Sequence, residues 1–243
     1  MHLTDIHLLD DIHEDIRGFN TYESLNAVIQ KIKDEQTDFE FIVVSGDISQ
    51  TNNLKSYQLF KNTLQKLDKP VYCIPGNHDN PQLLKTFFPK TPINNITSIE
   101  HDNNLILFIN TQVKNEQFGQ ISESNLYEIS QLLDAKKQLS AIIVLHHPPV
   151  ATKSEWMDNI GLKNGPDFLA SVRQYPNLKL ILFGHVHQQI DASFQHVQLC
   201  ATPSTCYQFK PGTPTIEYDK LTAGYRLVKI TNDGTIHSSV SRI

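Results

Sequence analysis

Five short apolar runs in this chain each end at a residue type that can hold a metal ion. Met1 to Leu3 leads into Thr4-Asp5-Ile6-His7, and Phe41 to Val44 leads into Ser45-Gly46-Asp47. Val71 to Ile74 leads into Pro75-Gly76-Asn77-His78-Asp79. Ile142 to Leu145 leads into His146-His147-Pro148-Pro149, and Leu180 to Phe183 leads into Gly184-His185-Val186-His187. Carboxylate together with imidazole suits Fe, Mn, Zn or similar ions rather than the all-oxygen sites of Ca or Mg. Asp47 has two carboxylate oxygens and could bridge two ions. Asp5, His7, Asp47, Asn77, His146, His185 and His187 are more ligands than one tetrahedral ion takes, so a pair of ions ~3.5–4 Å apart is the economical reading. Asp5 and His7 are two apart, as are His185 and His187. In extended chain such residues project to one side, so each pair is expected to reach one centre.

These runs are bounded by Gly and Pro and read as fully buried strands. In open α/β sheets ligands sit beyond the carboxyl ends of the strands, which would bring all five motifs to one rim. Tyr22, Leu25, Val28, Ile29 and Ile32 have helical spacing, with Asn20 and Glu23 resembling a capping box at the start. Tyr57, Phe60, Leu64 and Leu67 predict a second helix, ended by Lys69-Pro70. Leu105 to Ile109 reads as a strand, Ser122 starts a helix carrying Leu126, Ile129 and Leu133, and Pro166 opens a short one with Leu169 and Val172. Residues 148–165 are expected to be the longest loop beside the site. Beyond Gln189 the chain turns β-rich, and Thr231-Asn232-Asp233-Gly234 is a hairpin signal between Tyr225–Ile230 and Thr235–Ile243. Helices alternating with strands, then strands alone, predict an α/β fold: a four-layer α/β/β/α sandwich, two mixed sheets face to face with helices outside.

The totals set limits. The chain has 243 residues, 39% hydrophobic and 19% charged, enough for a sizeable core in one domain spanning 1–243. A net charge of -5 argues against a broad basic surface for duplex nucleic acid. Three cysteines are too few for a disulfide framework and fit a reducing compartment. No signal peptide is visible, and no run approaches the ~20 residues a membrane span needs; cytoplasmic is the default expectation. The first run is short for a buried strand of ~5–6 residues, which leaves a start further upstream open.

Taken together, Asp5-x-His7, Gly46-Asp47, Gly76-Asn77-His78-Asp79, His146-x-Pro148 and Gly184-His185-x-His187 resemble, in order and spacing, the five motifs of the calcineurin-like metallophosphoesterases. Residues 201–211, Gly224-Tyr225-Arg226 and Ser241-Arg242-Ile243 resemble one branch, the bacterial class III 3',5'-cyclic AMP phosphodiesterases. The resemblance implies that Asp5, His7, Asp47 and His187 hold a first ion. It gives Asp47, Asn77, His146 and His185 to a second, with Asp47 bridging and Fe and/or Mn as the ions. It selects His146 over His147. It makes His78 a catalytic group serving the substrate oxygens or the leaving group, with Asp79 orienting it by accepting a hydrogen bond. His7, Asp47, Asn77, His78, His146 and His187 would face the substrate. A hydroxide between the ions could attack phosphorus in line, with 5'-AMP as product.

Other readings stay open. The substrate could be a glycerophosphodiester, a 2',3'-cyclic nucleotide or a nucleotide-lipid, since the ions activate phosphorus whatever is attached. A metal-poor scaffold that binds a protein is the rival outside catalysis, against which the intact ligand set argues. The partner expected is a small phosphodiester, and the assembly a monomer or homodimer. Asp10, Asp11, Glu14 and Asp15 read as a solvated loop rather than a third ion site. Of the eleven histidines, His2, His13, His101, His196 and His237 fall outside the motifs, His2 being at most a group behind a ligand. Trp156 and Met157 fit a lid over a purine ring and fit core or dimer contacts equally. Tyr207 and Phe209 could stack on adenine, with packing between the sheets the stronger expectation.

Overall fold

The structure, a computed structural model, describes residues 1–36, 38–231 and 234–243. Its strands are β1 (His2–Leu3), β2 (Ile42–Val44), β3 (Val71–Cys73), β4 (Thr97–His101), β5 (Asn104–Phe108), β6 (Ser140–Val144), β7 (Leu178–Phe183), β8 (Ile190–Phe194), β9 (Val197–Ala201), β10 (Gly224–Ile230) and β11 (Ile236–Arg242). Its helices are α1 (Thr21–Asp34), α2 (Leu54–Leu64), α3 (Pro81–Phe87), α4 (Glu123–Ala135), α5 (Glu155–Asp158) and α6 (Gly165–Val172). One sheet has the order β11-β10-β1-β2-β3 and the other β4-β5-β6-β7-β9-β8. The strands that lead into the motifs run parallel, β1 with β2 and β2 with β3 in one sheet, β6 with β7 in the other. The flanking strands β10, β11, β4 and β8 pair antiparallel, so both sheets are mixed.

Three apolar layers show how the sequence builds four. Period-two alternation sends Ile106, Phe108, Ile142, Val144, Leu180 and Leu182 into the space between the sheets, where they meet Val43 and Ile74. The alternate residues Leu105, Leu107, Ile143, Ile181 and Phe183 face α4 and α6 through Ile129, Leu133, Phe168 and Leu169. On the far side, Leu3, Ile42 and Val44 pack against Leu25, Val28, Ile29 and Ile32 of α1 and Tyr57, Phe60 and Leu64 of α2. The α/β/β/α sandwich is therefore the fold.

Helix starts follow their signals. Asn20 accepts a hydrogen bond from the Glu23 amide, and Ser122 accepts one from the Asn125 amide. Helix α2 stops at Leu64, and Leu67 sits in the 3₁₀ turn Gln65–Leu67, which Asp68 closes with a left-handed backbone. Three helices or strands lie beyond the sequence reading: α3, β4 and α5. The first is announced by Asn80-Pro81, where Asn80 caps the Gln82 and Leu83 amides. The stretch 148–165 is not all loop, for α5 lies within it and buries Met157 in the outer core, leaving Trp156 half-buried. Strands β10 and β11 pair from Gly224↔Arg242 to Ile230↔Ile236, a hairpin whose expected turn residues Asn232 and Asp233 lie outside the described residues. Cys73, Cys200 and Cys206 are buried free thiols. Among the described residues no helix is long and apolar enough to cross a membrane.

Candidate metal centre

The backbone that carries the motifs is not extended. Asp5 (φ 52°), His7 (φ 50°), Asp47 (φ 50°), His185 (φ 69°) and His187 (φ 47°) are all left-handed. This corrects the expectation that each i, i+2 pair points one way because the chain is extended. Left-handed residues instead flank one apolar anchor. Ile6 is fully buried in the core under α1 and α2, and Val186 in the core under α4 and α6. The loops interlock: the Asp5 amide donates to the Gly46 carbonyl, and those of Ile6 and His7 donate to the Asp47 carbonyl. The His185 amide donates to the Asp5 carboxylate. A β-carbon on Gly76 would overlap Asp47 Oδ1, so only glycine lets those loops touch. Each such backbone costs ~1–3 kcal/mol and persists only where its surroundings hold it, a pattern found at functional sites.

The side chains converge. His7 Nε2 lies 3.0 Å from His187 Nε2 and 3.7 Å from Asp47 Oδ2. His146 Nε2 lies 3.1 Å from Asn77 Oδ1, 3.4 Å from Asp47 Oδ2 and 3.2 Å from His185 Nδ1. His187 Nε2 is 3.6 Å from Asp5 Oδ1. The remote nitrogens decide what these contacts mean. His7 Nδ1 faces Gln50 Oε1 at 2.7 Å, His146 Nδ1 faces the Ser45 carbonyl at 2.6 Å, and His187 Nδ1 faces the Tyr207 carbonyl at 2.9 Å. All three partners accept, so each Nδ1 carries a proton; His7 and His187, kept neutral by burial, turn bare Nε2 lone pairs inward, while His146 holds a second proton on Nε2 toward Asp47 and Asn77. Lone pairs of His7 and His187 thus face each other, and the protonated Nε2 of His146 faces two oxygens. Two facing lone pairs leave room for a cation between them, and outward hydrogen bonds of this kind hold metal-binding imidazoles in place. The donor set fits a metal centre. Asp5, His7 and His187 form one close group and Asp5, Asp47 and His146 another, and Asp47 lies near both His7 and His146.

Electrostatics in the metal-free chain agree. Burial would raise the Asp47 carboxyl, but His146, His78 and His7 hold it well below the usual carboxylate range. Burial pushes Asp5 up to about 7. Burial disfavours charge on His146, yet Asp47 and Asp5 push it up to about 9. Burial takes His7 down to about 4 and holds His185 and His187 well below the imidazole range. Protons therefore share the space that ions would take, and binding an ion must release some of them.

Asn77 and His78 are half-buried, unlike the other ligand-type residues, and stand at the mouth. The His78 ring meets His7 edge-on at 5.0 Å, and its amide donates to Asp47 Oδ1. Asp79 departs from its expected role of orienting the His78 ring. Its carboxylate accepts from the amides of Ile48, Ser49 and Gly76 and from the Tyr57 hydroxyl. It braces the loops that carry Asp47 and His78 and does not reach the ring. His147 is spoken for on both nitrogens, by the Thr111 hydroxyl and the Gln117 carbonyl, and packs behind His146 and His185. Tyr207 and Phe209 pack not between the sheets but against His187, at 4.8 and 4.5 Å. The residues that sequence reasoning passes over are the supporting ones: Gln50, Tyr57, Thr111 and Gln112, whose amide donates to the Gly76 and Asp79 carbonyls. No spacing announces them.

Comparison with known proteins points the same way. The chain is 32% identical over its whole length to the 3',5'-cyclic adenosine monophosphate phosphodiesterase CpdA of Haemophilus influenzae, of which 89% is covered. It is 30% identical to the 3',5'-cyclic-nucleotide phosphodiesterase alr5338 of a Nostoc species, over 99% of this chain and 91% of that one. In fold it is similar to a dimetal phosphatase from Danio rerio, with a TM-score of 0.69, 13% identity and 93% of each chain covered. The model of the calcineurin-like phosphoesterases matches residues 1–189, and the chain belongs to that family.

Proposed function

We propose that this chain hydrolyses 3',5'-cyclic AMP to 5'-AMP at two ions, Fe and/or Mn, and that residues 1–243 act as one catalytic domain. Asp5, His7, Asp47 and His187 would hold one ion, and Asp47, Asn77, His146 and His185 the other. The observation that carries the reading is the inward convergence of the Nε2 atoms of His7, His146 and His187 on Asp5, Asp47 and Asn77. The names of the relatives supply the substrate. When bound, divalent ions neutralise phosphodiester oxygens and acidify water at neutral pH. The protein's own part is orientation. Hydrogen bonds donated to Gln50 Oε1 and to the Ser45 and Tyr207 carbonyls fix the imidazoles, and Asp79 with Tyr57 braces the loop beneath His78. His78, half-buried beside His7, is the group free to protonate the departing 3' oxygen or to donate to a phosphoryl oxygen.

A cavity of about 850 Å³ adjoins His187 and is lined by Phe209, Gln188, Gln208 and Val150 to Lys153. Trp156 meets Phe209 edge-on at 5.0 Å. The Phe209 ring and the side-chain amides of Gln188 and Gln208 on this wall are of the kinds that stack on a nucleobase and pair with its edge. This wall favours a cyclic nucleotide over a glycerophosphodiester. The test is turnover of cyclic AMP, cyclic GMP, 2',3'-cyclic AMP and a glycerophosphodiester with Fe, with Mn and without added metal. Highest kcat/KM on cyclic AMP, dependent on metal, is expected. Faster turnover of the glycerophosphodiester would overturn the substrate.

A further inference from the structure

His2 stands outside every motif, yet it is buried at the start of a chain of hydrogen bonds that ends on a metal-ligand carboxylate. Thr202 Oγ1 lies 2.6 Å from His2 Nδ1, and His2 Nε2 lies 2.8 Å from Ser45 Oγ. Ser45 Oγ lies 2.8 Å from Thr4 Oγ1, which lies 2.9 Å from Asp5 Oδ2. Thr4, Asp5, Ser45 and Thr202 are fully buried, and His2 is nearly so. The chain crosses the molecule, since His2 lies on β1 of one sheet and Thr202 directly follows β9 of the other.

Its direction follows from proton counting. A carboxylate only accepts, so the Thr4 hydroxyl donates to Asp5. The Thr4 oxygen must then accept from Ser45, which spends the only hydroxyl proton of Ser45. His2 Nε2 must therefore be the donor to Ser45. A neutral His2 then takes the Thr202 proton on Nδ1. Neutrality is held by burial, with the Arg226 guanidinium also opposing a positive charge on the ring. Every link points the same way, from Thr202 to Asp5.

We infer that His2 is a positioning residue for the metal ligand Asp5: its Nε2–H sets the direction of the Ser45 and Thr4 hydroxyls and so fixes which carboxylate oxygen is left for the ion. The His185 amide is shared by both Asp5 oxygens, at 2.9 Å from Oδ2 and 3.1 Å from Oδ1, so the Thr4 hydroxyl on Oδ2 is the contact that tells them apart. Oδ1 is the oxygen that faces His187 Nε2. Gly184 makes room for the arrangement, because a β-carbon there would overlap Thr4 Oγ1 and crowd Asp5 Oδ2 and Ser45 Oγ. Without the His2 donor, the Ser45 hydroxyl is released to turn toward other acceptors, and Thr4 loses its fixed orientation. The inference rests on the two-ion reading.

The test is Mn²⁺ affinity of the full chain, measured by competition with a chelator at pH 7.5, for four variants. His2→Gln keeps an amide donor near the Nε2 position and should bind both ions nearly as the wild type does. His2→Asn places its amide near Nδ1 and loses the donor to Ser45; His2→Phe loses both bonds. Each should weaken one of the two ions roughly tenfold and leave the other unchanged, in line with the ~10–100-fold cost of removing groups behind metal ligands. Thr4→Val, one step from the carboxylate, should weaken the same ion at least as much. It keeps the inference testable if His2→Phe does not fold. Equal affinities for His2→Gln and His2→Asn would overturn the relay, as would equal weakening of both ions, which marks general loosening of the structure. A wild-type chain that binds no Mn²⁺ would overturn the two-ion reading, and the relay with it. Wild-type binding of two ions with unchanged variants would overturn the relay alone.

Discussion

Among the described residues, two regions bring imidazoles and carboxylates close enough to hold an ion. One is the rim built by Asp5, His7, Asp47, His146, His185 and His187; the other is the surface trio Glu40, His101 and Asp102. By residue type they are alike. In their surroundings they are opposites. The rim residues are buried, and the far nitrogens of His7, His146 and His187 are tied to fixed acceptors. In the surface trio the side chains are 41–75% exposed, and His101 simply pairs with Glu40. What makes a metal centre is thus the support behind each ligand, which removes its freedom and desolvates its lone pair before the ion arrives.

The sharpest way to break the contrast is at its shared ligand. Asp47→Ala should lower turnover of cyclic AMP by at least about 10³-fold, because charge stabilisation by ions is worth several kcal/mol. Steady-state kinetics on the folded variant measure this, and near-normal rates would refute it. Next in size is His78→Ala, which removes a group from the mouth and no ligand. It should cost on the order of 10²–10⁴-fold in kcat with metal content unchanged, checked by kinetics paired with metal analysis.

A smaller effect concerns pH and the metal-free chain. His7 sits at about 4 when folded against an ordinary 6.5, so its contribution is present above 6.5 and is lost as pH falls through 4. His185 and His187 act in the same direction. Asp5, raised from 3.8 to about 7, opposes them in part. His146 is raised from 6.5 to about 9, so its contribution is present below 6.5 and is lost as pH rises through 9. Melting temperature should therefore peak near neutrality, and added Mn²⁺ should flatten the alkaline limb, since the ion replaces the His146 proton. Calorimetry from pH 4 to 9.5 with and without Mn²⁺ tests it; an alkaline limb unmoved by Mn²⁺ goes against it. The smallest effect is expected at the surface trio. His101→Ala should change stability by no more than ~0.5 kcal/mol and leave metal content as it was, whereas a lost ion would erase the contrast.

Much of this was legible in the residues. Alternation in Leu105–Phe108, Ile142–Leu145 and Leu180–Phe183 dictates two-faced strands, and with it the layers. Residue type and order at the strand ends mark out the candidate ligands that the fold brings together. What was not legible depends on partners distant in sequence. The left-handed backbone at Asp5 and His7 is held by carbonyls of Gly46 and Asp47, and the Asp79 carboxylate is turned away from His78 by the amides of Ile48 and Ser49. His2 looks like any strand residue until the fold places Ser45 and Thr202 on either side of its ring.

The central claim is that two ions share Asp47, and metal content tests it most directly. After loading with Mn²⁺ and removal of free ion, elemental analysis should find two ions per wild-type chain and fewer than one per chain of Asp47→Ala. Two ions retained by Asp47→Ala would contradict the account.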